Sequence, residues 1–211
     1  MRLNRYIKEI SDTTTIKAKE IIVSNLPQLY NILKKKSFNI TTKVLVNILN
    51  NLFKRYKIVF ILSKSKKKRY KYITQGMMYV DGKIEIEIDN NQQVGKFFRR
   101  FAREDKKDDF FDVNKNGFLR DLLSTLSHEI LHQDQLSKAG EENWKESGKS
   151  EIDYLSDPQE LEAQAQDSAI EILRTGTSYT LQRYFSHFTM KSPVLRIFLK
   201  KVTYYCRKIK F

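Results

Sequence analysis

The five residues from His128 to His132 read His-Glu-Ile-Leu-His, and they constrain this chain more than any other stretch. They lie within a segment, residues 121–136, whose apolar spacing predicts a helix. Side chains four positions apart on an α-helix share a face and lie ~6 Å apart along its axis. Two imidazoles placed in this way can both reach one divalent metal ion. Glu129 directly follows the first histidine, close enough to face a water molecule on the same ion.

An apolar stripe on the same helix lies away from the two histidines. It consists of Leu122, Leu123, Leu126 and Ile130. One side of the helix is therefore predicted to pack on a core while the other side presents ligands. The chain has only 3 histidines in 211 residues, and two of them have this spacing around a glutamate, so a chance pairing is the less favoured interpretation.

Length and composition are those of a globular protein with one large domain or two small ones. With 211 residues, 40% hydrophobic and 12% aromatic, the chain can bury a sizeable core. No window reaches the ~18 uninterrupted apolar residues of a membrane span, and the N-terminus lacks the apolar region of a signal peptide. The single cysteine, Cys206, excludes an internal disulfide and fits a reducing compartment. We therefore predict a cytoplasmic protein.

The charge of the chain is strongly positive and unevenly distributed. The formal net charge is +14, and much of it lies in residues 34–36, in residues 64–71 and at the C-terminal end. Residues 141–171 are instead rich in Glu and Asp. This balance favours an anionic partner, which could be nucleic acid, an acidic protein surface or anionic lipid. No recognised nucleic-acid-binding motif is present, so charge alone supports nucleic-acid binding.

The clearest β-strand signal is a hairpin within residues 77–88. Asp81-Gly82 is a turn dipeptide between two alternating runs, and the second run, Lys83–Ile88, places three isoleucines on one face. Because its other face is polar, this run is predicted to be an edge strand beside a groove. Residues 57–62 form a short apolar run typical of a buried strand.

Helices are predicted on both sides of these strands. Residues 14–36 have helical spacing that breaks at Pro27, and a further helix is expected from Asn39 or Thr41 to about Tyr56. Gly140 is expected to end the histidine-bearing helix. Ser192-Pro193 is expected to begin a last helix.

A catalytic zinc ion takes three protein ligands and leaves the fourth position to water. In a metzincin the third ligand is a histidine six residues after the second motif histidine, with a glycine midway. Here Lys138 and Gln135 occupy those two positions, which excludes that arrangement.

The next predicted helix offers two carboxylates instead. Asp157 and Pro158 are a strong helix start, and they put Glu160 at the position where a capping box places its glutamate. Glu162 lies on the helical wheel beside the apolar face that carries Ala165 and Ala169. A carboxylate on a buried face must be paired, protonated or bound to a metal. We therefore predict Glu162 as the third ligand, with Glu160 as the alternative.

His128, His132 and Glu162 together resemble the gluzincin metallopeptidases, in which a glutamate on a following helix completes the metal site. The resemblance covers about residues 77–173. More narrowly, Ser127–Gln133, together with the stretch from Tyr154 to Ala163, resembles small zincin-like proteins encoded by phages and mobile elements.

The resemblance implies an α+β, zincin-like fold. A small mixed sheet with an edge hairpin would pack on the histidine-bearing helix and a following glutamate-bearing helix, with additional N- and C-terminal helices. The expected regions are 1–56 (N-terminal helical), 57–175 (catalytic core) and 176–211 (basic C-terminal), together forming one compact unit.

The implied chemistry is zinc-assisted hydrolysis of a peptide or protein substrate. Zn²⁺ would be held by His128, His132 and Glu162, and Glu129 would act as general base. The substrate backbone is expected along an edge strand, for which Lys83–Ile88 is the candidate.

Two parts of the implied site stay open. Gluzincins often place an Asp four residues after the ligand Glu to orient a histidine, but this chain has Gln166 there, which leaves Asp134 and Asp167 as candidates. Candidates for stabilising the oxyanion are Tyr154, Tyr184 and His187, of which His187 is more simply a half-buried histidine.

A second hypothesis from a different class is also open. The chain could be a zincin-fold structural, virion-assembly or interaction protein with vestigial or no catalysis. Its basic C-terminal segment would then be a docking arm, although a last core helix with a solvated basic face is the default interpretation. A phage-encoded protein of either kind would be found in the host cytoplasm or on the virion.

Overall fold

The computed structural model describes residues 2–63, 72–90, 94–112, 115–140 and 150–208. Helices and a small mixed sheet make up these ranges, so the predicted α+β class is confirmed. The helices and strands are α1 (Arg2–Lys35), α2 (Thr42–Phe53), β1 (Ile58–Leu62), β2 (Ile73–Met78), β3 (Ile84–Ile88), α3 (Val94–Arg99), α4 (Lys107–Phe111), α5 (Gly117–Ala139), α6 (Glu151–Ser156), α7 (Pro158–Thr175), α8 (Tyr179–His187) and α9 (Pro193–Lys208).

The chain divides into two compact units. One consists of residues 1–15 and 130–211, and the other of residues 16–129. The three regions expected from the sequence stay a prediction. Within the described ranges, no helix combines the length and the apolar character that crossing a membrane requires.

The unit of residues 16–129 contains the sheet, whose strand order is β1-β3-β2. β2 and β3 form the predicted hairpin, with Met78 opposite Ile84 and with Gly82 at a φ of +79° in the turn. The expected isoleucines of β3 are at most 2% exposed, which confirms the alternation. These are Ile84, Ile86 and Ile88.

The prediction that Lys83–Ile88 is an edge strand was wrong. β3 is the central strand, because it pairs with β1 in parallel on one side and with β2 in antiparallel on the other. Glu85 and Glu87 are partly exposed because they lie on the opposite face of β3 from the three buried isoleucines. A polar face shows that one side of a strand is not buried, and it carries no information about pairing in the plane of the sheet.

The outer edge of β1 is closed by a side chain. The amide of Asn50, on α2, accepts a hydrogen bond from Phe60 N (2.7 Å) and donates one to Phe60 O (3.0 Å), as a neighbouring strand would. Phe53, also on α2, packs on the Phe60 ring at a centroid distance of 5.3 Å. Edge strands with free backbone groups pair readily with other chains. Asn50 therefore protects this edge.

Replacing Asn50 by alanine is expected to lower the free energy of unfolding by about 1–3 kcal/mol, since both backbone groups of Phe60 lose their partner. Chemical denaturation measures this change, and size-exclusion chromatography detects any self-association through the opened edge. Asn51→Ala is the matched control, because Asn51 is exposed on the next position of the same helix. Equal stability of the two variants would show that Asn50 does not cap the strand.

The predicted break at Pro27 was also wrong, since α1 continues through this residue. Pro27 is exposed, whereas the apolar side chains at helical spacing around it are buried. Burying four aliphatic side chains, at ~1.5–3 kcal/mol each, outweighs the ~3 kcal/mol that an interior proline costs a helix. The four are Ile22, Leu26, Leu29 and Leu33.

The unit of residues 1–15 and 130–211 has a helical core. α7, α8 and α9 contribute Leu161, Ala165, Ala169, Tyr184, Leu195, Phe198, Val202 and Tyr205, to which α6 adds Leu155. The Tyr184 and Phe198 rings stack with their centroids 3.6 Å apart. α9 begins at Pro193, which confirms the predicted last helix.

Candidate metal centre

The helix that carries the motif, α5, is preceded by an asparagine that caps it and is followed by a glycine that ends it. Asn116 precedes it, and its Oδ1 accepts a hydrogen bond from Leu119 N (3.3 Å) while its Nδ2 donates to Phe110 O (2.8 Å). At the other end Gly140 has a φ of +79° and donates its N–H to Leu136 O. The predicted end at Gly140 is confirmed.

The polar side chains of the motif are buried, although slightly less than the apolar stripe. The stripe residues are at most 4% exposed, and His128, Glu129 and His132 are 9%, 5% and 6% exposed. Polar groups removed from water are costly unless they find a partner or an ion. These three side chains therefore lie in the interior of the protein rather than on a solvated face.

His128, His132 and Glu160 form a group that can hold a metal ion. Each offers one ligand atom, and these three atoms lie within 4.8 Å of one another. Nε2 of His132 is 3.5 Å from Oε1 of Glu160. Ligand atoms around a tetrahedral zinc ion, at ~2.1 Å from it, are ~3.4 Å apart. The donor set of two imidazoles and one carboxylate, and the one spacing resolved within it, therefore fit such an ion.

The orientation of His132 supports this assignment. Its Nδ1 is 2.9 Å from Oε1 of Gln135, whose Nε2 points at Gln159 O (3.5 Å). With the amide oxygen facing the ring, Nδ1–H donates to it, and Nε2 faces Glu160. An imidazole held through Nδ1 in this way can offer Nε2 to a metal ion.

Sequence reasoning missed Gln135 as the partner of His132. Gln135, rather than Asp134 or Asp167, is hydrogen bonded to Nδ1 of this ring. The signal was its position three residues after His132 on the same helix, where side chains meet.

Glu160 has a second fixed partner in Tyr154. Nε2 of Gln164 donates to the Tyr154 hydroxyl at 3.0 Å, which leaves the hydroxyl proton to bond Glu160. Burial, followed by the charge of Glu160 and this hydrogen bond, raises the pKa of Tyr154 well above its usual value. Tyr154, one of the three candidates for stabilising the oxyanion, is hydrogen bonded to the carboxylate of Glu160.

Glu162, the predicted third ligand, does not join this group, and Glu160 takes its place. Oε1 of Glu162 accepts a hydrogen bond from the Tyr205 hydroxyl, and Oε2 pairs with Nζ of Lys201, both on α9. The helical wheel was right to put Glu162 beside Ala165 and Ala169, but that face of α7 packs on α8 and α9. α7 also buries other positions, such as Ala163 and Gln164, so its periodicity could not tell which face meets the histidines.

The capping role considered for Glu160 is not needed. Asp157 caps α7 as predicted, with its Oδ1 accepting from Gln159 N at 2.8 Å. In a capping box, Glu160 would accept the N–H of Asp157. That N–H instead donates to Asp153 O and Tyr154 O at the end of α6, so the Glu160 carboxylate is directed to His132 and Tyr154.

The other residues that the sequence analysis considered for the site make contacts elsewhere in the structure. Nε2 of Gln166 donates to Thr15 Oγ1 (2.8 Å), and the Tyr184 hydroxyl donates to Leu155 O (3.0 Å) within the helical core. His187 has its Nε2 3.7 Å from a carboxylate oxygen of Glu151. None of these contacts involves the group of His128, His132 and Glu160. Glu129 lies against the backbone of β2 at Gly76.

No protein-family model matches this chain, and no curated protein and no solved structure is similar enough to count as a match. The chemistry of the site is therefore inferred from its own residues.

Proposed function

We propose that this protein is a zinc-dependent peptidase of the gluzincin type. His128, His132 and Glu160 would hold the ion, and Glu129 would be the general base. The observation that carries the proposal is the buried group of two imidazoles and one carboxylate, whose ligand atoms lie within 4.8 Å of one another. Two nitrogens and one oxygen are the protein ligands of many catalytic zinc sites, in which water occupies the fourth position.

The fold supports the same proposal. Among the described residues, β2 pairs on one side only, and its Gly76 lies against Glu129 of α5. α7, which follows, supplies Glu160. An edge strand beside the motif helix, followed by a glutamate-bearing helix, is the arrangement that the resemblance to zincins implies.

The residues around the ion have separate tasks. A bound Zn²⁺ supplies a water of pKa about 7 and an electrophile for the carbonyl oxygen of the substrate. Gln135 holds the His132 ring, and Tyr154 holds the Glu160 carboxylate. Glu129 takes the proton of the attacking water at a carboxylate oxygen and delivers it to the nitrogen of the leaving amine.

The substrate backbone is proposed to lie along β2, in place of Lys83–Ile88. Tyr79 N donates to Lys83 O, so the backbone groups of residues 79, 77 and 75 point towards β3. Those of Gly76 and Met78 therefore point to the other side of β2. An extended peptide pairing with Gly76 by β-augmentation would run beside Glu129.

Elemental analysis of protein purified without chelator tests the proposal. We expect close to one zinc per chain, hydrolysis of a mixture of quenched fluorescent peptides, loss of both after dialysis against a chelator, and recovery on adding zinc. His132→Ala is expected to bind no zinc, and the half-exposed His187 provides the matched control, His187→Ala. Hydrolysis that persists in the chelator, or protein that takes up no zinc, would refute the proposal.

Replacing Tyr154 by phenylalanine is expected to weaken zinc binding by about 10- to 100-fold, the usual cost of losing an outer-shell partner of a ligand. Competition with a chromogenic chelator measures the affinity. Tyr179→Phe is the control, because Tyr179 is 69% exposed. If both variants bind zinc as tightly as the wild type, Tyr154 does not hold Glu160.

The alternative interaction or virion-assembly role stays a prediction, as does an anionic partner. α9 buries Leu195, Phe198, Val202 and Tyr205, while Lys200 and Arg207 on it are exposed. The helix is thus a core element with a basic outer face, and removing it would unfold its unit rather than detach a docking arm. Charge reversal at the exposed cations is the better test of this role. A second basic stretch, residues 64–71, lies outside the described residues.

A further inference from the structure

Gly76 occupies a position in β2 where a glycine needs an explanation. It pairs with Ile86 in the middle of the hairpin, and glycine weakens the interior of a strand because it has no side chain to pack. Its φ is not positive, whereas Gly82, Gly140 and Gly176 do have a positive φ. The backbone conformation therefore does not require glycine at position 76.

A close approach explains the glycine. A Cβ atom at position 76 would lie 2.5 Å from Oε1 and 2.7 Å from Cγ of Glu129, and 2.7 Å from Cγ2 of Thr125. Non-bonded carbon atoms are most stable at ~3.5–4.0 Å. Gly76 is therefore packed directly on the Glu129 side chain, which is only 5% exposed.

We infer that Gly76 is a positioning residue for Glu129. The inference rests on the proposed function only in taking Glu129 as the general base, because the contact itself is independent of any activity. With a side chain at position 76, either the strand or the side chains of Glu129 and Thr125 must shift, and displacing Cγ of Glu129 carries its carboxylate with it.

The same residue also relates the base to the substrate. The N–H and C=O of Gly76 point away from β3, to the side where an added peptide strand would pair. The proposed base and the proposed substrate backbone would therefore both be in contact with one residue, which sets their separation without a side chain between them.

A cycle of variants, followed by thermal unfolding of the full chain, tests the contact. Gly76→Ala is expected to lower the unfolding midpoint by about 5 °C, as overpacking does. In the background Thr125→Ser/Glu129→Ala, which removes the three nearest atoms, Gly76→Ala is expected to have little effect. Gly82→Ala is the control, because Gly82 has a positive φ and nothing within 4 Å of its Cβ position, so its effect should be the same in both backgrounds.

An equal cost of Gly76→Ala in both backgrounds would overturn the inference. If Gly76→Ala alone does not fold, the triple variant decides: it is expected to fold like its Thr125→Ser/Glu129→Ala parent, and its failure to fold would count against the contact.

Kinetics test the positioning role with a readout that a merely structural role would not move. Gly76→Ala is expected to retain zinc and to lower kcat on the quenched peptides on the order of 10²-fold, as a misplacement of ~1 Å can do, with KM little changed. Unchanged kcat in an active protein would overturn the positioning role alone. If the wild type hydrolyses no peptide, the proposed function fails, and the thermal cycle still decides whether Gly76 contacts Glu129.

Discussion

Replacing Glu160 by glutamine is expected to abolish stoichiometric zinc binding, whereas the same replacement at Glu162 is expected to leave zinc bound. An uncharged amide at position 160 removes the only carboxylate grouped with the two histidines among the described residues. We expect the affinity to fall by more than the ~100-fold that losing an outer-shell partner costs. Zinc content by elemental analysis and affinity by chelator competition measure the difference.

Glu162→Gln is an informative control because it is expected to change the stability of the protein without changing its zinc binding. Its carboxylate pairs with Lys201 and accepts a hydrogen bond from Tyr205, and it is 14% exposed. Losing this charge is expected to lower the free energy of unfolding by about 1–3 kcal/mol. The two variants thus separate zinc binding from stability. Zinc lost from Glu162→Gln and kept by Glu160→Gln would restore the prediction made from the helical wheel.

Replacing Glu129 by glutamine is expected to lower kcat by about 10²- to 10⁴-fold, the typical contribution of a general base, while zinc stays bound. Glutamine has almost the shape of glutamate and so keeps the contact with Gly76. It cannot accept the water proton, so the chemical step slows while peptide binding along β2 is retained. Steady-state kinetics on the quenched peptides tests the loss of activity, and the zinc content of the same samples tests the retention of the metal ion.

The control for Glu129→Gln is Glu85→Gln, a partly exposed glutamate of β3. It carries the same chemical change and is expected to have wild-type kcat. A Glu129→Gln protein with full activity and bound zinc would show that another group moves the proton. Loss of zinc from it would instead identify Glu129 as part of the metal-binding group.

The choice of the third ligand depended on which face of α7 meets the histidines, and the structure groups Glu160 with them instead of Glu162. Both Glu160 and Glu162 were candidates, and the choice rested on the apolar face of α7. When a helix is buried on one face only, its helical wheel identifies the face that packs on the rest of the protein. α7 is buried on more than one face, so apolar residues such as Ala165 indicate packing on α8 and α9 as readily as on the motif helix.

By itself, the sequence determined the local features of this protein. The spacing of His128 and His132, the start of α7 at Asp157 and the hairpin turn at Gly82 depend on interactions within a few residues. Only the tertiary structure decided that Glu160 joins the histidines, that β3 is central with β2 at the edge of the sheet that the described residues form, and that Gly76 lies against Glu129. These contacts join residues far apart in the chain, and local propensity does not specify which faces or edges meet.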